Sequence, residues 1–156
     1  MYLLPECGLD SEMGFLNKLF RKHSEIEENI SDEKFGLLTW DEDEESWGGY
    51  YNDLKFYLSH ERNTTIPSEQ LKKYAFSILS DTQFLNATLQ TEKNKWIADY
   101  PDAKDEIGAL DFGYVSFYRY KGENNKIFAH LSPENDERLW RIEYCEWKCE
   151  GLGFDS

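Results

Sequence analysis

The chain has 156 residues, the usual length of one domain, and its formal net charge is -14 because 31 acidic residues face 17 basic ones. Hydrophobic residues make up 40% of the chain and aromatic residues 16%, which excludes a disordered chain. From the length and composition we expect a single domain over residues 1–156. The negative charge repels phosphate backbones and anionic lipid surfaces, so we expect no nucleic-acid partner and no membrane partner.

Three segments have the spacing of amphipathic helices. Over residues 11–30 the apolar side chains return at intervals of three and four residues. A second helix is predicted after Pro67, with Ser68 as its cap, and it continues to Leu79. A third helix follows the cap at residues 80–81 and stops at Pro101, so that the last two helices form a helical hairpin.

The segments between the first two helices indicate strands. Residues 35–40 and 47–51 are short, apolar and aromatic, and they flank an acidic stretch, which predicts a β-hairpin. Residues 54–59 alternate polar and apolar side chains. They indicate either a third strand or a bulged continuation of the second strand.

The C-terminal third is rich in aromatic and β-branched residues. Strands are predicted over residues 110–120, 126–131 and 138–147, separated by turn-forming sequences, and together they predict an antiparallel meander. In the last of them Trp140, Ile142 and Tyr144 share one face, which predicts that this face is buried.

The order of elements predicts an α+β fold. We expect an antiparallel sheet, made of the hairpin plus the C-terminal three-stranded meander, packed with an N-terminal helix and a central helical hairpin. No repeat or flexible linker divides the chain, so residues 1–30 are expected to form the N-terminal helix and residues 31–156 the α+β core.

The sequence shows no catalytic, metal or cofactor motif. It has no Gly-x-Ser-x-Gly elbow, no His-Glu-x-x-His helix and no Gly-rich phosphate loop. Cys145 and Cys149 form the one close thiol pair, without a nearby His, and a zinc site is not expected there. Residues 1–7 resemble neither a signal peptide nor a membrane span, so we expect a cytoplasmic protein with reduced thiols and no cofactor.

The acidic stretch at residues 41–45 is the most conspicuous local feature. A calcium loop is excluded, because Ser46 and Asn52 stand where such a loop needs Gly and Glu. Two interpretations stay open: a solvated hairpin tip that keeps a sheet edge soluble, or a surface that contacts a partner. The residues predicted to bind a partner are Trp40, Asp41, Glu42, Asp43, Glu44, Glu45 and Trp47, although both tryptophans also suit a core.

Three strings in this chain resemble a known group of proteins. They are Phe35-Gly-Leu-Leu-Thr-Trp followed by an acidic turn and Trp47-Gly-Gly, then Ile66-Pro-Ser-Glu-Gln-Leu, then Arg138-Leu-Trp-Arg-Ile-Glu-Tyr with Gly151-Leu-Gly-Phe-Asp. Together they resemble small bacterial domains of unknown function whose relatives are placed among immunity proteins of polymorphic toxin systems. The likeness spans residues 35–156. It implies a role in binding a toxin, and it brings no catalytic residues.

The leading hypothesis is therefore a non-catalytic cytoplasmic binding protein, an immunity protein that captures a basic toxin domain through an acidic face and is itself a monomer or a weak dimer. The alternative is a hydrolase-type enzyme, whose site assembles from scattered carboxylates with His60 or His130. A weaker possibility is an adaptor domain that dimerises through an edge strand.

Overall fold

The computed structural model describes residues 28–60, 64–119 and 124–156. Four strands come first, then a helical segment, then four more strands. The strands are β1 (Asn29–Asp32), β2 (Gly36–Asp41), β3 (Ser46–Tyr51), β4 (Leu54–Ser59), β5 (Asp111–Arg119), β6 (Asn125–Ser132), β7 (Leu139–Cys145) and β8 (Lys148–Asp155). The helices are α1 (Glu69–Leu79), α2 (Thr82–Asp99) and α3 (Lys104–Gly108), and a 3-10 turn at Pro101–Ala103 precedes α3.

All eight strands form one mixed sheet in the order of the chain. Neighbouring strands are antiparallel, except that β4 and β5 run parallel, with Lys55 opposite Tyr114 and Leu58 opposite Phe117. A parallel pair needs a crossover connection, and the helical segment provides it. The α+β character is confirmed, but the predicted antiparallel sheet of a hairpin plus a three-stranded meander is wrong, because the two halves of the molecule join edge to edge through this parallel pair.

Two strands that the sequence did not predict complete the sheet. β1 has only four residues, and three of them are polar, so it lacks a strand's apolar signal. β8 contains Gly151 and Gly153, and glycine is depleted in strands. The predicted helix over residues 11–30 lies outside the described residues as far as residue 27, and Asn29 and Ile30 belong to β1.

The two central helices agree with the prediction. The Ser68 side chain caps α1 and accepts a hydrogen bond from the Leu71 amide at 3.1 Å. Asp81 stands at the cap position of α2 without a side-chain hydrogen bond. Residues 54–59 form a separate strand, β4, which settles the choice between a third strand and a bulge.

The core lies between the sheet and the helical segment. Trp140, Ile142 and Tyr144 are buried, as their alternation predicts. The cluster continues across the sheet through other apolar side chains of the same face and through the apolar stripe of α1, and it includes Leu38, Trp47, Phe56, Phe117, Leu71 and Ile78. No helix of the described ranges covers the opposite face, which we call the open face; it carries Tyr50, Lys55, Tyr57, Tyr114 and His130.

Candidate functional site

The acidic stretch forms the tip of the β2–β3 hairpin. Asp41, the last residue of β2, pairs with Ser46, the first residue of β3. One carboxylate oxygen of Asp41 accepts hydrogen bonds from the amides of Asp43 at 3.0 Å and Glu44 at 3.1 Å. Asp41 therefore closes the turn with its own side chain, as Asx turns do. Glu45 has a positive φ of 48°, which lets the chain enter β3.

The other four carboxylates of the tip face solvent. Glu42, Asp43, Glu44 and Glu45 are all exposed. The ion pairs formed among the described residues lie elsewhere, for example between Lys72 and Asp32 at 3.0 Å. Across residues 28–60, 64–119 and 124–156, no basic side chain forms an ion pair with these four.

The structure separates the two tryptophans from the tip carboxylates. Trp40 and Trp47 are directly opposite each other in β2 and β3, and their ring centroids are 5.5 Å apart. Trp47 is only 1% exposed, and its indole N–H donates to the Thr65 carbonyl at 3.2 Å, so this ring belongs to the core. Trp40 is half-buried and packs against His60. Both rings lie on the covered face, whereas Asp41 lies on the open face.

An aromatic row that the sequence did not predict crosses the open face. It consists of Tyr57 in β4, Tyr114 in β5 and His130 in β6. The Tyr57 and Tyr114 rings meet edge to face with centroids 5.4 Å apart. The Tyr114 and His130 rings are stacked 5.0 Å apart at an interplanar angle of 9°. Since Tyr57 and Tyr114 become neighbours only through the parallel pair, no signal in the sequence brings them together.

Carboxylates stand at both ends of the aromatic row. At one end, the Tyr57 hydroxyl donates a long hydrogen bond of 3.5 Å to Asp41. At the other end, Nε2 of His130 lies 2.5 Å from a carboxylate oxygen of Glu134, although not in the alignment of a hydrogen bond. Burial raises the pKa of Tyr114, and the negative charges of Glu44 and Glu134 raise it further. The negative field of the tip thus extends over the open face.

A groove of about 510 Å³ runs beside this row between β2, β3 and β4. Gly48 forms part of its floor, and a methyl group added there would come within 3.2 Å of the Tyr57 ring. Tyr50, 66% exposed, and Leu37, 65% exposed, are the largest apolar surfaces along it.

The ammonium of Lys55 lies in the groove, 5.1 Å from the Tyr57 ring centroid. A hydrogen bond to Tyr57 is the main cause that raises the pKa of Lys55, against the effect of burial, and the charge of Asp41 also raises it.

The residues considered for metal or thiol chemistry are not brought together. Cys149 is opposite Tyr144 and so shares the covered face, while Cys145, the next residue after Tyr144, points to the other side. In the described part of the chain no group of three His, Cys, Asp or Glu side chains is placed to hold a metal ion.

The two histidines of the hydrolase alternative are also apart. His60 packs on Trp40 of the covered face, and its Nδ1 is buried without a hydrogen-bond partner among the described residues. Burial lowers the pKa of His60, and the charge of Glu45 opposes this effect. The groove on the open face has no histidine in its lining, and neither has a second depression of about 650 Å³ between β1 and α1. The hydrolase hypothesis stays a prediction.

Comparison with models of protein families, with curated proteins and with solved structures found no match to this chain. Among the helices described here, none is long and apolar enough to cross a membrane.

Proposed function

We propose that this chain is a non-catalytic cytoplasmic protein that captures a basic protein partner through the acidic hairpin tip and the open face beside it. The observation that carries the proposal is the set of four exposed carboxylates at residues 42–45, held on a two-stranded scaffold without an ion pair in the described ranges. Exposed negative charge on a fixed turn attracts a cationic surface over a distance of about one Debye length, roughly 8–10 Å at moderate salt.

Electrostatic attraction speeds association, while affinity comes mainly from a few desolvated contacts. The open face offers such contacts beside the tip, since Tyr50 and Leu37 are largely exposed. Tyrosine is enriched at interfaces because it combines a large apolar ring with a hydroxyl. The tip and the adjoining side chains therefore have the two properties that a binding surface for a basic protein needs.

The resemblance to immunity proteins supports a narrower proposal, namely that the basic partner is a toxin domain. A toxin that acts on nucleic acid has a cationic active site, because it must hold a polyanion. An acidic binding protein that covers such a site neutralises the toxin without chemistry of its own. Of the three strings that carry the resemblance, the first spans β2, the acidic tip and the start of β3, and the last lies in β7 and β8.

Replacing the tip carboxylates tests the proposal. In the first variant, Glu42→Gln, Asp43→Asn, Glu44→Gln and Glu45→Gln remove four negative charges from the tip. The matched control carries Asp99→Asn, Asp102→Asn, Asp105→Asn and Asp136→Asn, four exposed carboxylates away from the hairpin. Both variants change the net charge equally, so they differ only in where the charge is lost.

The immobilised wild-type chain is expected to retain a basic protein from an extract of the native host, and retention should fall as salt rises. The control variant should retain the same protein, while the tip variant should lose it. Equal retention by the wild type and the tip variant, or retention that does not respond to salt, would contradict the proposal.

A further inference from the structure

The groove between β2, β3 and β4 already holds a cation of its own chain. The ammonium of Lys55 lies 5.1 Å from the centroid of the Tyr57 ring, and the negative charge of Asp41 acts on it. A protonated amine over an aromatic face is a cation–π contact, which the ring quadrupole favours. The groove therefore favours positive charge in spite of being lined mainly by uncharged side chains.

The shape of the groove leaves room for a larger group. The Tyr57 ring packs over Gly48, where an added methyl group would come within 3.2 Å of it, and Tyr57 is only 5% exposed, so a guanidinium reaches the ring face by taking the place of the Lys55 ammonium. The exposed side chains of Tyr50 and Leu37 give apolar surface along which the stem of a long side chain can pack. Asp41 lies in the lining of the same groove, and one of its oxygens meets the Tyr57 hydroxyl at 3.5 Å.

We propose that this groove is a subsite for an arginine side chain of the partner, and that Lys55 occupies it until the partner binds. The inference rests on the proposed function, since it assumes a basic partner. It adds that one arginine side chain of the partner binds in this groove and that the Lys55 ammonium must leave the groove to admit it.

Arginine fits the groove better than lysine does. Its guanidinium is planar and more weakly hydrated than an ammonium, so it stacks on an aromatic ring at a smaller cost of desolvation. It also donates several hydrogen bonds in a plane, which suits the Asp41 carboxylate at the end of the groove. The ammonium of Lys55, a strongly hydrated charge on a flexible stem, returns to solvent when the guanidinium enters.

The test uses an acetylated hexa-arginine amide peptide as the probe, with a hexa-lysine peptide of the same form for comparison. Binding is followed by NMR on the full chain, through the backbone amide of Gly48 and the ring signals of Tyr57. The variant Lys55→Met removes the ammonium that competes for the groove and keeps the length of the side chain. Its matched control is Lys73→Met, which removes an exposed ammonium from α1, on the covered side of the sheet.

Hexa-arginine is expected to shift the Gly48 and Tyr57 signals and to bind more tightly than hexa-lysine. Lys55→Met should bind it at least about threefold more tightly than Lys73→Met, because both lose one positive charge but only Lys55→Met removes the ammonium that competes for the Tyr57 ring. Equal affinities of the two variants, or shifts confined to residues 42–45, would overturn the subsite.

A steric variant gives an independent check. Gly48→Ala leaves the charge unchanged and places a methyl group 3.2 Å from the Tyr57 ring, so it should weaken hexa-arginine binding and leave the effect of the tip carboxylates intact. If Gly48→Ala binds as the wild type does, the subsite is wrong while the proposed function stands. If the wild-type chain does not bind the peptide at all, or if the tip variant binds it as well as the wild type does, the result counts against the proposed function itself.

Discussion

The hydroxyl oxygens of Thr88 in α2 and Tyr144 in β7 lie 2.8 Å apart. The Thr88 hydroxyl also meets the carbonyls of Phe84 at 2.8 Å and Leu85 at 3.0 Å, so its single proton goes to the helix backbone. Tyr144 is therefore the donor in the pair. Burial raises the pKa of Tyr144, which keeps its hydroxyl protonated. This hydrogen bond fastens the helical segment to the second half of the sheet.

Because the two hydroxyls are partners, their removal should not be equivalent. Tyr144→Phe removes the donor and should lower the free energy of unfolding by about 1 kcal/mol. Thr88→Val removes the acceptor and leaves the buried Tyr144 hydroxyl unsatisfied, which should cost about 1–3 kcal/mol. Urea denaturation of both single variants and the double variant measures the coupling. Strictly additive losses in the double variant would show that the two hydroxyls do not interact.

Gly49 is a position where the sheet and the core leave no space. A methyl group built on it would come within 2.9 Å of the Phe56 ring and 3.0 Å of the Leu38 side chain, both fully buried. Gly49→Ala should therefore cost about 1–3 kcal/mol of stability by overpacking. Gly153→Ala is the control, since nothing lies within 4 Å of its added methyl group. The midpoints of urea unfolding compare the two; similar losses would refute the packing argument.

The local elements of this fold follow from local patterns. The apolar stripe after Ser68 predicts α1, and the alternation at Trp140, Ile142 and Tyr144 predicts the buried face of β7. The pairing of β4 with β5 does not follow from a local pattern, because about fifty residues of chain separate the two strands. Nothing in the sequence of either strand indicates which strand lies beside it, so the wholly antiparallel sheet expected from sequence order was wrong, although β5, β6 and β7 do pair as an antiparallel meander.

In the candidate site, too, some features follow from the local sequence and others depend on which strands pair. The charged tip at residues 41–45 is contiguous in the sequence and its turn was predicted, although its contact with a partner is still a prediction. The aromatic row depends on pairing between strands, so Tyr57, Tyr114 and His130 are brought together only by the tertiary fold. Trp47 shows the opposite case, because it follows the acidic stretch by two residues while its side chain faces the core.

Glu106 in α3 holds the segment before β7 in place. Its carboxylate accepts hydrogen bonds from the Trp140 indole at 2.9 Å and the Asn135 amide at 3.0 Å, and it pairs with Arg138 at 2.8 Å. Glu106→Gln removes the charge that strengthens these contacts, and it should cost about 1–2 kcal/mol. Glu150→Gln, at an exposed residue of β8, should stay within about 0.5 kcal/mol of the wild type.

The pH dependence of this contribution has a definite sign. The Trp140 indole is the main cause that lowers the pKa of Glu106 below its ordinary value of 4.5, and it outweighs the opposing effect of burial. A lowered carboxyl pKa stabilises the fold above the ordinary value and stops doing so as the pH falls through the lowered one. The difference between the wild type and Glu106→Gln should therefore shrink below pH 4.5 in urea denaturation. A difference that grows on acidification would be incompatible with this account.

His60 should make the fold sensitive to mild acid. Burial lowers its pKa below the ordinary 6.5, so the unfolded chain binds a proton that the folded chain resists. Above pH 6.5 the imidazole is neutral in both the folded and the unfolded chain, so its ionisation does not affect stability. As the pH falls below that value, the unfolded chain takes up the proton and the folded chain becomes less stable. Between about pH 7.5 and 5.5 the wild type should lose more free energy of unfolding than His60→Gln, in which the other titrating groups are unchanged. Parallel stability curves for the two proteins would refute the role of His60.

Glu45 is placed where stability and binding oppose each other. Its φ of 48° is a conformation that asparagine adopts more readily than glutamate, and its carboxylate is one of four crowded at the tip. Glu45→Asn should raise the free energy of unfolding by about 0.5–1 kcal/mol over Glu42→Asn, which removes the same charge from a residue without a positive φ. Thermal unfolding compares the two variants.

Both variants should also retain less of the basic partner, because each lacks one carboxylate of the tip. If the two variants are equally stable, the backbone at Glu45 carries no strain. If they retain the partner as fully as the wild type does, neither Glu42 nor Glu45 contributes to binding.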